Sequence, residues 1–360
     1  NYKFRQIFRT NFAVEKQLGN GFSANIDLLY TKNINTVYMR NANLIAPAGN
    51  LTGLDNRPYY PSTQTGASKF VNPSVGSVIV LENYSKGYSF SATAQINKSF
   101  SKGFYGSIAY TYTVATELTS NPGSQATSVW QSLANVGTPN NLELYNSLYS
   151  IPHRVVAALS YRIEYANHMA STLSLFYQGS AQDKYNFLIG GDLNGDGNNA
   201  SDLMYIYAKG SDVPFVNFMQ GSTIKYTVAQ QQAAYDEFVA NSPYLRHHKG
   251  QYAERNSALY PWYNRLDARF LQDFFVKVGG QRHNLQFSVD VLNLLNMIDR
   301  DWGVTSLYTV RNPLTFKGIV NGTPTYTLAE YKGDLVTKAF VKTASSSTTW
   351  GMQLGLKYFF

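Results

Sequence analysis

The sequence predicts an all-β protein and, within that class, a transmembrane antiparallel β-barrel. Three observations support the prediction: a composition rich in aromatic residues, segments that alternate apolar with polar residues, and connections that alternate between short and long. Of the 360 residues, 14% are charged and 15% are aromatic, with 28 Tyr and 21 Phe. An average soluble domain has about 25% charged residues. The absence of cysteine excludes disulfide scaffolds and thiolate metal sites. The sequence has no apolar run near the ~18 residues that a membrane-spanning helix needs.

Alternation with a period of two is clear between Tyr88 and Phe100. There Tyr88, Phe90 and Ile96 fall on one face, while Ser, Thr, Gln and Asn residues fall on the other. Similar segments are roughly 12–17 residues long, whereas globular strands usually have about 5–6. Long alternating strands rich in Tyr and Phe are typical of barrels whose apolar face meets lipid. The nine predicted strands are residues 4–18, 22–38, 87–100, 104–116, 152–165, 170–181, 262–278, 282–295 and 347–360.

Short and long connections alternate between these strands. Residues that tolerate positive φ predict hairpin turns at 19–21, 101–103, 166–168 and 279–281. The long connections cover about 39–86, 117–151, 182–261 and 297–346, and residues 75–83 are assigned to an extracellular ribbon. Outer-membrane barrels have this asymmetry, with short periplasmic turns and long extracellular loops. Because bacterial single-chain barrels have an even number of strands, the odd count predicts that residues 1–360 are the C-terminal portion of a larger β-barrel domain.

The last predicted strand carries a second indication of an outer-membrane protein. A polar residue, a glycine and two aromatic residues spaced two apart resemble the signal that barrel-assembly machinery recognises. These residues are Gln353, Gly355, Tyr358 and Phe360. An ordinary terminal strand is the alternative interpretation. The pattern predicts the barrel-assembly machinery as a partner.

Four further segments resemble a known family. They read GDLNGDGNN at 191–199 with DLMYI at 202–206, YLRHHKGQYAERN at 244–256, PWYNRLDARF at 261–270 with QDF at 272–274, and DVLNLLN at 290–296. In these segments the chain resembles the C-terminal barrel region of TonB-dependent receptors of the Oar-like type, found in Bacteroidota. The motif matches are densest over 180–300, and the strand layout fits throughout.

The resemblance implies a 22-strand barrel plugged by an N-terminal domain, of which this chain holds about nine strands. It also implies uptake of a bulky nutrient or chelate, driven by the TonB system through a region outside these residues. The plug domain is not in this sequence. The expected location is the outer membrane of a Gram-negative bacterium, in contact with lipid and lipopolysaccharide. Two alternatives stay open: a passive porin-like channel, and a structural or assembly partner of a surface lipoprotein or other envelope proteins.

The strongest chemical motif is the acidic loop, residues 192–202. Oxygen-bearing side chains at alternate positions around Gly197 resemble the first half of a calcium loop. Leu203 stands where the EF-hand pattern has Glu, so a polar turn without metal is the alternative. The candidate ligands for a structural Ca²⁺ are Asp192, Asn194, Asp196, Asn198 and Asp202.

Four charged residues of the strand at 262–278 share one face, and we expect them to face the lumen. They are Arg265, Asp267, Arg269 and Asp273. A charge that faces lipid costs about 2–4 kcal/mol at the middle of the membrane. In the lumen these residues would pair with one another, with neighbouring strands or the plug, or with substrate.

The longest connection contains a predicted helix at 227–240. Ala233, Phe238 and Val239 are expected to pack this helix onto the loop, with its Gln residues in water. No spacing of Ser, His and acidic residues singles out a nucleophile, so we expect no enzyme. The net charge of +8 is scattered along the chain. Scattered charge favours attraction to anionic lipopolysaccharide, plug or substrate over binding of nucleic acid.

Overall fold

A computed structural model of the protein describes residues 2–199 and 201–360. Its main feature is a sheet, which we call the wall, of nine long antiparallel strands that pair in chain order. The prediction of a mainly antiparallel fold built from long strands is confirmed. The wall strands are β1 (Gln6–Gly19), β2 (Phe22–Asn41), β3 (Tyr88–Ser101), β4 (Phe104–Glu117), β5 (His153–Tyr165), β6 (Met169–Ala181), β7 (Trp262–Val278), β8 (Gln281–Leu292) and β9 (Gly351–Phe359).

Tight turns join the wall strands at one end of the sheet, as predicted. Each turn contains residues in the left-handed region: for example, φ is 51° at Asn20, 81° at Gly103, 56° at Asn167 and 86° at Gly280. Gly enters this region without a steric penalty, and Asn tolerates it better than most residues. The turn residues therefore fix where each hairpin reverses.

Two short strands extend the wall at the opposite end. Ile79–Tyr84 pairs with the outer part of β2, from Thr36 to Asn41. This pairing confirms an extended ribbon, at 79–84 instead of 75–83, and its extracellular location stays a prediction. Tyr145–Asn146 pairs with the end of β4 in the same way. Within the described residues, β1 pairs only with β2 and β9 pairs only with β8.

The apolar face of the wall is exposed on the isolated chain. Phe12 is 63% exposed, Ile108 is 52% exposed and Leu356 is 70% exposed. On the opposite face, hydroxyl groups of neighbouring strands bond to each other, as in the 3.0 Å contact between the Oγ1 atoms of Thr93 and Thr111. The wall therefore has one apolar and one polar face, as the period of two predicts.

The four long connections fold together at the other end of the wall. We call them the cap, residues 42–87, 118–152, 182–199, 201–261 and 293–350. The cap contains four short α-helices, one longer helix and a 3₁₀ turn at Gly210–Asp212. The helices are α1 (Pro61–Gln64), α2 (Ala126–Gln131), α3 (Val228–Ala240), α4 (Pro243–His247) and α5 (Leu294–Ile298). None of the helices in the described residues is long and apolar enough to cross a membrane.

Short strands tie the cap segments together in pairs or in one three-stranded sheet. Besides the two that extend the wall, they are Gly49–Asn50, Pro58–Tyr59, Lys184–Tyr185, Ile189–Gly190, Tyr205–Ile206, Phe218–Gln220, Thr223–Tyr226, Gln251–Tyr252, Ala258–Leu259, Thr305–Tyr308, Leu314–Val320, Thr323–Leu328, Glu330–Tyr331, Asp334–Leu335 and Phe340–Thr343.

The hydrophobic core of the described residues lies in the cap. Its largest cluster has 21 buried residues, all outside the nine wall strands. Phe187 contacts Phe238 edge to face at 6.2 Å between ring centroids, and Tyr207 contacts Tyr326 in the same manner at 6.2 Å. Aromatic side chains bury large areas and pack well in this geometry. The cap is therefore a packed unit rather than a set of independent loops.

Helix α3 is confirmed, but two details of its predicted packing are wrong: Ala233 does not pack onto the loop, and Gln231 is not in water. It begins with a capping box in which Thr227 accepts from the backbone of Gln230. Phe238 and Val239 are buried as expected, whereas Ala233 is exposed. The fully buried Gln231 replaces it, because its side chain donates to Val216 O and accepts from Leu328 N.

Several predicted strand ends differ from the structure by one to four residues; for example, β1 begins at Gln6 instead of 4 and β2 ends at Asn41 instead of 38. Two of the differences have a local cause. The strand predicted at 282–295 ends at Leu292, because Asn293 adopts φ 54° and ψ 56° and α5 follows. The strand predicted from 347 begins at Gly351. The backbone amides of Thr348 and Thr349 both donate to Ser345 O, which forms a turn before the strand.

Candidate functional site

The four predicted charges of β7 lie on the polar face of the wall and are held by neighbouring side chains. Arg265 Nε lies 3.0 Å from Asp267 Oδ1 on the same strand. Arg269 Nε lies 2.5 Å from Asp290 Oδ1 on β8, its partner in the strand register. Pairing with one another and with neighbouring strands is one of the roles expected for these charges, and these contacts are of that kind.

Asp273 is the most enclosed of the four charges. It lies 2.6 Å from Arg162 Nη1 on β5 and accepts from the side chains of Asn284 and Gln286 on β8. Three strands therefore converge on this one carboxylate. Because side chains of the wall already donate to both oxygens of Asp273, this network favours a role in positioning the strands.

The terminal signal residues are part of β9 or follow it directly. Tyr358 accepts or donates a 2.6 Å hydrogen bond with His283 Nδ1, and its ring stacks on His283 and on Phe360. Gln353 lies opposite Asp290, and Gly355 lies opposite Ser288. A Cβ atom on Gly355 would lie 2.5 Å from Ser288 Oγ, so a side chain here would require the Ser288 hydroxyl to move. Recognition of these residues by the assembly machinery stays a prediction.

Four of the five predicted ligands of the acidic loop are buried in the cap, whereas Asp192 is partly buried and Gly197 and Asn199 are exposed. Asn194, Asp196, Asn198 and Asp202 are each at most 3% exposed. The amides of Asp196, Asn198 and Leu193 donate to the side chains of Asn194, Asp196 and Asp202 at 2.8–2.9 Å. The amide of Gly197 donates to Asp192 in the same way. The five predicted ligands therefore belong to one tightly folded turn.

A buried ion network that the sequence analysis missed lies beside this loop. Arg57 donates to both carboxylate oxygens of Asp55 and lies 3.2 Å from Asp202 Oδ1, although 145 residues separate it from Asp202. The side chains of all three are fully buried. Tyr252 and Tyr326 donate to Asp55 at 3.0 and 2.9 Å. The network connects three of the cap segments, so it fixes how they fold together.

Burial changes the charge state of the acidic loop. It raises the pKa of Asp196 well above its usual range, and the nearby carboxylates of Asp202 and Asp192 add to the shift. Burial also raises the pKa of Asp202, although Arg57 opposes the change. The surroundings of the loop therefore favour the protonated, uncharged form of these two carboxyl groups.

The oxygen atoms of the acidic loop match the ligand set of a cation only in part. Asp192 Oδ1 and Asn198 Oδ1 are buried without hydrogen-bond partners, as an unfilled ligand set would have them. The oxygens of Asp202, in contrast, accept from Arg57 and Leu193. Over residues 2–199 and 201–360, no group of three or more His, Asp or Glu side chains is arranged to hold a metal ion. Calcium binding stays a prediction.

A second feature that the sequence analysis missed is a cavity of about 320 Å³, which we call the basic cavity. It lies where three cap segments meet, and its volume is in the range of small-molecule sites. None of the described residues that line it is acidic. The residues that characterise it are Lys184, Arg255, Arg311, Tyr185, Tyr260 and Tyr308.

Two of the cavity's cations are buried. Lys184 is 8% exposed and donates to Ser147 O and Ser150 Oγ. Arg255 is 5% exposed, donates to Leu118 O, and has an Nη1 atom without a hydrogen-bond partner. Within the described residues, neither is in an ion pair with a carboxylate.

Burial lowers the pKa of Lys184 to about 8, although Glu117 and Asp183 oppose the shift. Burial also lowers the pKa of the Arg255 guanidinium. Both shifts have the same cause, since a cation removed from water without a counterion is destabilised. The charges of the basic cavity are therefore only partly compensated by the protein.

The wall and the cap define a class of protein, an outer-membrane β-barrel protein with long structured loops. A family model described as "Outer membrane beta barrel domain" matches residues 1–299, and the chain belongs to this family. The predicted location in the outer membrane is confirmed by this match. Comparisons with curated proteins and with solved structures give no match.

Proposed function

We propose that the chain forms part of the wall and the extracellular cap of a TonB-dependent receptor of the Oar-like type, which imports a bulky nutrient or chelate through a plugged barrel. The observation that carries the proposal is the packed cap, with a buried cluster of 21 residues. A passive channel needs no such core above its mouth. A receptor needs a rigid surface that holds binding groups in place, and binding residues concentrate on loops above a scaffold.

The edges of the wall support a larger barrel, for which the resemblance to TonB-dependent receptors implies about 22 strands. Within the described residues, one side of β1 and one side of β9 have no strand partner. Backbone groups inside a membrane must be paired, because no water is present to bind them. We therefore expect further strands to flank both edges and the plug domain to fill the lumen.

In this mechanism the cap captures the substrate from outside the cell. The TonB system then displaces the plug with energy from the inner membrane, and the substrate passes along the polar face of the wall. The charges on that face, including Arg265, Asp267, Arg269 and Asp273, are already paired in the wall or with each other. We expect them to keep the passage polar and the strands in register, and we assign no catalytic step to this chain.

The proposal includes several partners. Outer-membrane lipid and lipopolysaccharide would contact the apolar face of the wall, and the barrel-assembly machinery would recognise Gln353, Gly355, Tyr358 and Phe360. A surface lipoprotein or another envelope protein would contact the cap. A structural role in such an envelope complex, without transport, is the second candidate function.

Two measurements on the full protein test the proposal. A plugged receptor reconstituted in planar lipid bilayers is expected to give no steady conductance, and cross-linking in native envelopes is expected to capture TonB. A steady open-channel conductance would instead identify a porin-like channel. A silent barrel that captures other envelope proteins but never TonB would identify the structural role.

A further inference from the structure

We infer that the basic cavity binds an organic anion, in which a carboxylate or phosphate group is attached to a planar apolar body. The inference rests on the proposed function to the extent that it names the substrate class of the cap. The binding site itself is argued from the geometry of the cavity alone.

The charged side chains that line the basic cavity are cations. Lys184, Arg255 and Arg311 all line the cavity, and no described lining residue is acidic. Lys184 and Arg255 are held in place by carbonyl and hydroxyl oxygens, which orient a cation but leave its charge unneutralised. An anion entering the cavity would supply the missing counterion, and a guanidinium matches the geometry of a carboxylate or a phosphate.

The guanidinium of Arg255 is held in a fixed orientation by its neighbours. Its carbon Cζ lies 4.9 Å from the centroid of the Tyr145 ring, and its Nη2 atom donates to Leu118 O. These contacts fix the plane of the guanidinium. The unpartnered Nη1 atom is therefore a donor in a fixed place. A site whose donors are already oriented loses little entropy when it binds a ligand.

The tyrosine rings of the cavity indicate what kind of group the anion is attached to. Three tyrosine rings line the cavity and lie close to one another. The Tyr185 and Tyr308 centroids are 5.7 Å apart, and the Tyr260 and Tyr308 centroids are 6.4 Å apart. Tyr185 is anchored because its hydroxyl donates to Val310 O. Aromatic walls of this kind favour a planar or apolar group beside the charged one.

The remaining charged groups near the cavity do not replace a ligand. Glu117 at the end of β4 and Asp183 beside Lys184 act on Lys184 only through space. Glu117 accepts from Ser120 Oγ, and Asp183 accepts from the backbone amide of Lys184. Glu117 also acts through space on Arg255. Within the described residues neither carboxylate is in a direct ion pair with Lys184 or Arg255, so neither takes the place of an anion bound to these cations.

Binding is tested by saturation-transfer NMR titration of the full protein in detergent micelles. The probes are benzoate, phenyl phosphate, inorganic phosphate and the neutral isostere benzamide. Benzoate or phenyl phosphate is expected to bind at least ten times more tightly than benzamide and inorganic phosphate. Equal binding of benzoate and benzamide would overturn the inference, because the cations would then contribute nothing.

Variants locate the binding. Lys184→Met, Arg255→Lys and the exposed-site change Arg311→Gln are each expected to weaken benzoate binding at least threefold. Lys209→Met, at an exposed cap lysine outside the cavity, is the matched control. Heat-modifiable gel mobility checks that every variant is folded. Folded variants that all bind like the unmodified protein would overturn the inference.

A competition experiment with lipopolysaccharide distinguishes the source of the anion. Purified lipopolysaccharide also carries phosphate groups, and displacement of benzoate by lipopolysaccharide would identify a membrane anion instead of a soluble one. Equilibrium binding in micelles needs no TonB, so it can be measured separately from transport. A protein that binds the anion but shows no TonB-dependent transport would contradict the proposed function and leave the anion site intact. A protein that shows TonB-dependent transport but does not bind the anion would contradict the anion site and leave the proposed function intact.

Discussion

The wall and the cap use apolar side chains in opposite ways. In the wall, Phe12 and Leu356 are 63% and 70% exposed, while in the cap Phe238 and Tyr326 are fully buried. The wall needs no core of its own because lipid takes the place of an apolar interior. The cap lies in water and must pack its own core. This core is also what allows the cap to hold buried charges such as Arg57 and Lys184.

The largest effect is expected from the buried ion network of the cap. Arg57→Met leaves Asp55 and Asp202 buried without their cation, which should cost about 3–5 kcal/mol of cap stability. Arg40→Met is the matched control, since Arg40 pairs with Glu82 at the surface and should contribute about 0–1 kcal/mol.

The readout is the urea midpoint of cap unfolding, followed by tryptophan fluorescence. Trp130 is suited to this measurement because it is buried in the cap. Similar midpoints for the two arginine variants would show that the network does not hold the cap segments together.

The next largest effect separates the two faces of the wall. Ile108 lies on the apolar face of β4 and Ala109 on its polar face. Ile108→Arg should cost about 2–4 kcal/mol if the residue lies at mid-membrane, and Ala109→Arg should cost less. The folded fraction in lipid vesicles, measured by gel mobility without heating, gives the comparison. Equal losses would contradict the assignment of the apolar face to lipid.

A smaller effect is expected in the acidic loop. Asp196→Asn removes a carboxyl group whose ionisation is opposed first by burial and then by the nearby Asp202 and Asp192, so it should stabilise the cap by about 1–2 kcal/mol in calcium-free buffer. Asp212→Asn, at an exposed position, is the control and should change little.

Repeating the measurement with calcium chloride separates the two interpretations of this loop. A calcium site predicts that the ion raises the unfolding midpoint of the unmodified protein and has less effect on the Asp196 variant. A turn without metal predicts that calcium changes neither.

The smallest effect concerns pH and the basic cavity. Lys184, with a pKa of about 8, is mostly charged at pH 7 and mostly neutral at pH 9. Benzoate affinity should therefore fall by up to about tenfold between these values. The other charged or titratable groups around this lysine include Glu117, Asp183, His153, Arg255 and Arg311, and the tyrosines that line the same cavities, Tyr112, Tyr149, Tyr185, Tyr260 and Tyr308. Lys184→Met should remove the fall, and an unchanged pH profile in this variant would assign it to one of those groups.

The wall could be predicted well from the sequence because its signals are local. Alternation along each strand sets the two faces, and residues such as Asn20 and Gly103 set the turns. Errors occurred where a strand ends for a reason outside its own pattern. Asn293, for example, turns out of β8 while its amide donates to Asp267 on the neighbouring strand.

The cap could be predicted only in part, because its important contacts join distant residues. The helix at 228–240 follows a local pattern and was found, but the burial of Gln231 depends on Val216 and Leu328. Arg57 and Asp202 are 145 residues apart, and nothing near either one indicates its partner. The basic cavity has the same origin, since its cations come from separate segments of the cap.

The central claim is that the wall has one apolar face in contact with lipid and an opposite face that is not. Spin labels at single introduced cysteines along residues 105–112 of β4 test it directly, because the chain contains no other cysteine. In lipid vesicles, accessibility to oxygen should peak at residues 106, 108, 110 and 112 and fall at the residues between them. Accessibility without a period of two, or with its peaks at 107, 109 and 111, would contradict the claim.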